Sequence, residues 1–175
     1  MKAPITSEAL LSVADTLARL DDASTTVQLR RAVSSAYYGL FHGLIADATR
    51  RTFGLEADRE PDRQVLSRWY NHGEMRSVCQ WVIRLASGQS VPDGVAALLA
   101  DPPAELVSVA RTFVQLQEQR HEADYDHAAD LTEADALTAI VRVRAALALL
   151  PVLAGHRAYD NYLVLLLGGP KLASR

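Results

Sequence analysis

Arg120-His121-Glu122-Ala123-Asp124-Tyr125-Asp126-His127 places one guanidinium, two imidazoles and three carboxylates within eight positions, directly after an amphipathic stretch. Cleavage of RNA without a metal ion asks for such groups. A base must deprotonate a ribose 2′-hydroxyl, a cation must stabilise the crowded phosphorane, and an acid must protonate the leaving oxygen. His127 can act as base or acid, Arg120 as the fork on the phosphate, and Asp124, four residues on, as the group that holds Arg120 in place. If helix persists here, Arg120, Asp124 and His127 share one face over about 10 Å. If it ends near Ala123, the chain turns back and brings His127 closer to Arg120. Two other accounts stay open: a solvated charge cluster at a helix end, and zinc held by His121, Asp124 and His127. The HExxH spacing is absent and no cysteine stands nearby, so zinc is the weaker of the two.

A second stretch, Arg30-Arg31-Ala32-Val33-Ser34-Ser35-Ala36-Tyr37-Tyr38-Gly39-Leu40-Phe41-His42, offers the supporting groups. On a helix, Ser34, Tyr38 and His42 form one ridge, and Tyr37, Phe41 and Leu44 form its neighbour. Tyr37 and Phe41 read as core. Tyr38 and His42 divide more evenly between core and site, because a buried hydroxyl or imidazole needs a partner. Ala36 and Gly39 are small enough to let another helix approach. A serine nucleophile built from Ser34 or Ser35 with His42 lacks the strained turn such sites use.

At these two stretches the chain resembles the HEPN superfamily. Arg31-Ala32-Val33-Ser34-Ser35-Ala36-Tyr37-Tyr38-Gly39-Leu40-Phe41-His42 is similar to the family's Arg-Ala-x-x-x-Ala-Tyr-Tyr-x-x-Phe-His helix. Arg120-His121-Glu122-Ala123-Asp124-Tyr125 is similar to its Arg-x-x-Ala-Asp-Tyr motif, and Arg120 and His127 stand at the spacing of its Arg…His variant. The resemblance spans roughly residues 5 to 150 and takes in Trp69-Tyr70-Asn71-His72-Gly73. It implies a four- or five-helix up-and-down bundle, often a homodimer. In nuclease members the Arg and His of both subunits meet in a cleft and cut RNA without metal, as a two-fold axis allows. It further implies a place in toxin–antitoxin or phage-defence systems, frequently beside a nucleotidyltransferase-like partner protein. Other members serve as non-catalytic RNA-binding or protein-interaction modules. On this resemblance Arg120, His127 and Asp124 are the candidate catalytic residues and Ser34, Tyr38, His42 and Tyr125 the supporting ones. No metal or other cofactor is expected.

The elements that must carry these groups read as helix nearly throughout. Thr6 or Ser7 can cap a first helix with Leu10, Leu11, Ala14, Leu17 and Ala18 on its apolar face. A turn at Asp21, Asp22 and Ser24 leads to a long helix from about Thr25 to Thr52. A third is expected from about Arg63 to Ala86, with Gly73 interrupting it. A loop follows from Ser87 to Gly94, then a short helix through Ala97 and Leu99. Asp101-Pro102-Pro103 opens the helix that reaches Arg120. Thr132 with Asp135 resembles a capping box for the last long helix, which Pro151 kinks or ends. Nothing alternates with period two for long enough to be a strand. The expected architecture is one all-α domain over residues 1–175, with 158–175 an apolar C-terminal extension. Tyr162 to Leu167 would be exposed at the periphery, so this run either caps the bundle or meets a partner.

The chain has 175 residues, with 49% hydrophobic and 22% charged, so wholesale disorder is not expected. Its single cysteine, Cys79, excludes an internal disulfide framework and a multi-cysteine zinc site. No apolar run approaches the roughly 18 residues of a membrane span, and the first residues do not read as a signal peptide, so a cytoplasmic protein is expected. The net charge of −3 argues against a uniformly basic surface. Sixteen of the eighteen basic residues are arginine, a bias that tracks the alanine richness of the chain. Only arginines inside a specific cluster therefore bear on phosphate binding.

Overall fold

Local signals in the chain account for where each helix starts and stops. The computed structural model describes residues 5–20, 25–126 and 130–173, which hold helices and no strand. Helix α1 (Ser7–Ala18) begins where Thr6 Oγ1 accepts the Ala9 amide at 3.2 Å. Helix α2 (Thr26–Phe53) runs 28 residues and closes on Gly54, whose φ of +79° only glycine adopts without strain. A 3-10 turn (Ala57–Arg59) leads into α3 (Glu60–Ser67), with Pro61 in its first turn.

The expected third helix is two helices. The chain breaks after Ser67 and restarts as α4 (His72–Ala86), because the Asn71 side chain accepts the Glu74 amide at 2.9 Å and so caps a new N-terminus. Gly73 lies inside the first turn of α4 and is not the interruption. Helix α5 (Asp93–Leu98) is short, and α6 (Ala104–Tyr125) follows the prolines as expected. Asp101 before them takes a φ of +48°, which short polar side chains tolerate. Helix α7 (Glu133–Leu149) is opened by the capping box: Asp135 accepts the Thr132 amide at 2.9 Å and Thr132 Oγ1 accepts the Asp135 amide at 3.2 Å. It stops ahead of Pro151. Helices α8 (Arg157–Leu165) and α9 (Gly169–Ala173) complete the chain. The turn expected at Asp21 to Ser24 lies outside the described residues.

The chain divides into two compact units. The first comprises residues 1–43 and 112–147: α1, the N-terminal part of α2, the C-terminal part of α6 and most of α7. Tyr37 is fully buried and packs on Phe113 with ring centroids 5.6 Å apart, which joins α2 to α6 and bears out its reading as core. The small residues of α2 serve close approach. A Cβ on Gly39 would meet Leu11 of α1 at 3.2 Å, and one on Gly43 would collide with Leu147 of α7. Arg144 of α7 reaches Asp15 of α1 at 2.6 Å.

The second unit comprises residues 44–111 and 148–175, and the apolar C-terminal run lies within its core. Tyr159, Tyr162, Leu163, Leu165 and Leu166 are buried, whereas Val164 is 69% exposed. The tyrosines bring their polar ends inside with partners. Tyr159 donates to Asp47 Oδ2 at 2.7 Å, and the Tyr162 hydroxyl meets Cys79 Sγ at 3.2 Å. Burial pushes the Cys79 thiol up to about 12, so it stays protonated and inert. Of the two expectations for Tyr162 to Leu167, covering the protein's own core is therefore the one realised. The run is not free to dock elsewhere, since its apolar face is already used.

Burial along α8 gives a paired test. Leu163→Ala should cost about 2–5 kcal/mol and Val164→Ala less than about 0.5 kcal/mol, read from urea denaturation midpoints. Equal losses would show that α8 does not present the 163 side to the core.

Candidate functional site

Both sequence stretches of interest fall in the first unit, on α2 and α6. Helix persists through Tyr125, so Arg120 and Asp124 stand one turn apart on the same face. Arg120 Nε lies 2.7 Å from Asp124 Oδ2, and the two side chains are 25% and 20% exposed. The Nε–H does not point along that line, and Nε is buried without a directed hydrogen bond. The contact is thus an ion pair held by charge and packing rather than by a linear hydrogen bond.

The other carboxylate oxygen is engaged from α2. Ser34, almost fully buried, donates from Oγ to Asp124 Oδ1 at 2.9 Å. One turn on, the Tyr38 hydroxyl accepts from Arg120 Nη2 at 3.4 Å, and the guanidinium carbon lies 5.8 Å from the Tyr38 ring centre. One turn back, Arg30 Nη1 donates to the Ala123 carbonyl at 2.9 Å. Ala123 is among the last four residues of α6, whose carbonyls lack partners within the helix, so Arg30 completes that helix end from across the interface. Sequence reasoning left Arg30 out of the site. The available signal was its place four residues before Ser34 on the same ridge.

The structure therefore brings Ser34, Tyr38, Arg120 and Asp124 together. His42 continues the α2 ridge, with its ring 6.4 Å from that of Tyr38 and edge-on to Phe41 at 5.4 Å. It is half-buried, and desolvation holds its pKa below the ordinary 6.5, which keeps the imidazole neutral. Tyr125 lies on the solvent side of the cluster, its ring centre 6.0 Å from the Arg120 guanidinium carbon. It is 63% exposed and its ring packs against His121, with centroids 4.8 Å apart. Of the three residues weighed for zinc, His121 packs against Tyr125 and Asp124 is engaged by Ser34 and Arg120. His127 lies outside the described residues. Among the described residues no three of His, Cys, Asp and Glu form a metal-ligand set, and no helix is long and apolar enough to cross a membrane.

Chemically, the arrangement is a guanidinium clamped from behind. Asp124 pairs with the guanidinium by charge on its Nε side, and Ser34 stops the carboxylate from rotating away. Of Arg120's terminal nitrogens, Nη2 donates to the Tyr38 hydroxyl at 3.4 Å. A fork so placed can accept an anion without first having to be ordered. Comparison with family models, with curated proteins and with solved structures finds no match for this chain.

Two outcomes test this geometry. Ser34→Ala strands a carboxylate oxygen and should cost about 1–3 kcal/mol of stability, while the Ser34→Ala/Asp124→Ala pair should cost less than the sum of the singles. Chemical denaturation of the four proteins in the cycle measures it, and additivity would remove the contact. The depressed His42 pKa gives a sign for pH. Below 6.5 the unfolded chain takes up a proton that the folded chain resists, so stability present above that value is lost as pH falls below it. His42→Gln should flatten this decline below pH 6.5, again read from denaturation midpoints.

Proposed function

We propose that the chain is a HEPN-type helical protein, an up-and-down bundle, whose α2–α6 cluster is the site of a metal-independent endoribonuclease. The observation that carries this reading is the posture of Arg120. An arginine paired with a carboxylate that is itself held by a buried serine is already ordered before it grips a phosphate.

In the reaction, a ribose 2′-hydroxyl attacks the adjacent phosphorus and the 5′-oxygen leaves. Arg120 neutralises charge as it builds on the equatorial oxygens of the phosphorane, where a preplaced cation counts most. Asp124 sets the position of the guanidinium, and Tyr38 flanks it with a hydroxyl and a ring face. His127, two residues past the end of α6, is assigned the proton transfers, its pKa range suiting either direction near neutral pH. A homodimer would bring two copies of the Arg and His to one cleft. The setting that goes with this reading is phage defence or a toxin–antitoxin pair in the cytoplasm, with a nucleotidyltransferase-like protein as partner.

One observation favours a second reading, a non-catalytic RNA-binding or protein-interaction module. Both Asp124 oxygens and the Ala123 carbonyl are engaged within the protein, as a purely structural tie between α2 and α6 would require. Such a tie is partly exposed, so its loss should fall short of the roughly 3–5 kcal/mol of a fully buried pair.

Incubation of the full chain with RNA in EDTA separates the two. The ribonuclease reading expects cleavage, with Arg120→Ala slowing it about 100-fold or more while leaving the helical circular dichroism in place. His127→Ala should slow it comparably. RNA left intact, or cut by both variants as fast as by the unaltered protein, removes the catalytic reading and leaves the module.

A further inference from the structure

Helix α6 ends on a pair of rings that the cleavage chemistry does not use. His121 and Tyr125 are one turn apart, so their side chains meet on the helix surface. Their ring centroids are 4.8 Å apart with planes inclined at 46°. Both residues are exposed, Tyr125 at 63%. An aromatic ring left in water, with a second ring bracing it from behind, has lost conformational freedom without gaining burial of its outer face. Next to it stands the clamped cation: the Arg120 guanidinium carbon is 6.0 Å from the Tyr125 ring centre. A fixed positive charge and an open π face thus lie a single nucleotide's reach apart.

We infer that Tyr125, braced by His121, is a stacking platform for a nucleobase of single-stranded RNA whose neighbouring phosphate lies on Arg120. This rests on the ribonuclease reading and adds to it a residue that positions the strand. In a duplex both faces of each base are covered by its neighbours, so a ring platform selects bases that are out of the stack. Every base has a π face, so the platform tolerates any sequence and discriminates by strandedness. The contact uses the phenol ring and not its hydroxyl.

Fluorescence anisotropy with a fluorescein-labelled 2′-O-methyl RNA octamer, which lacks the attacking hydroxyl and survives the measurement, tests this on the full chain. Tyr125→Ala should bind the single-stranded octamer about tenfold more weakly, and Tyr125→Phe should restore what is lost. An octamer of abasic residues should bind the unaltered protein about as weakly as the intact octamer binds Tyr125→Ala. The octamer in duplex form should bind the unaltered protein and Tyr125→Ala alike. If Arg120→Ala weakens single-strand binding and Tyr125→Ala does not, or if Tyr125→Phe fails to restore it, the platform is overturned and the phosphate fork stands. If the unaltered chain does not bind the octamer, or neither Arg120→Ala nor Tyr125→Ala changes its affinity, the platform and the ribonuclease reading fall together.

Discussion

The Asp124 carboxylate has to be satisfied from two helices at once, and much of the first unit follows from that. A charged group that is only one-fifth exposed cannot be left to water alone. Ser34 supplies a hydroxyl from α2 and Arg120 a cation from its own helix, α6. Because Ser34 is itself buried, the rotation of α2 about its axis is set by this demand as well as by its apolar face. Arg30, one turn earlier, meets the Ala123 carbonyl and pins the end of α6 to the same ridge. Three consecutive turns of α2 thus present a guanidinium, a hydroxyl and a phenol to one turn and a half of α6.

That constraint is also what would make Arg120 useful. A free surface arginine loses side-chain entropy when it grips a phosphate, and one already held at Nε loses less. The acidic balance of the whole chain does not oppose this, because the field at a cleft depends on the charges that line it and on how little water screens them. Asp124 partly offsets the cation it holds. The gain is therefore in direction and rigidity rather than in net positive potential.

The second unit is built on different terms. Tyr159, Tyr162 and Cys79 are buried and paired, Tyr159 with Asp47 and Tyr162 with Cys79, and the thiol is held protonated. These groups are chemically silent for the same reason that they are stable: water and ligands do not reach them. Arg51 adds a cation over the Tyr159 ring at 5.1 Å while pairing with Asp47, so even the charges there are committed to packing.

Much of this was legible in the chain itself. Helical periodicity, the Thr6 cap, the Thr132–Asp135 capping box and the stop at Pro151 are local effects, decided within a turn or two of sequence, and they appear where the residues call for them. So does the Arg120–Asp124 pairing, since i and i+4 on a helix must be neighbours. The Asn71 cap is hidden in the sequence for a local reason: apolar spacing continues on both sides of the point where one helix ends and another starts. The remaining decisions belong to tertiary structure. That Ser34 and not Ser35 reaches Asp124, that Arg30 closes α6, that Tyr125 faces water and Tyr162 the core, all depend on how one helix is turned against another. Periodicity states which residues share a face. It does not state what lies opposite, because that is set by packing between segments some ninety positions apart in the chain, as Ser34 and Asp124 are.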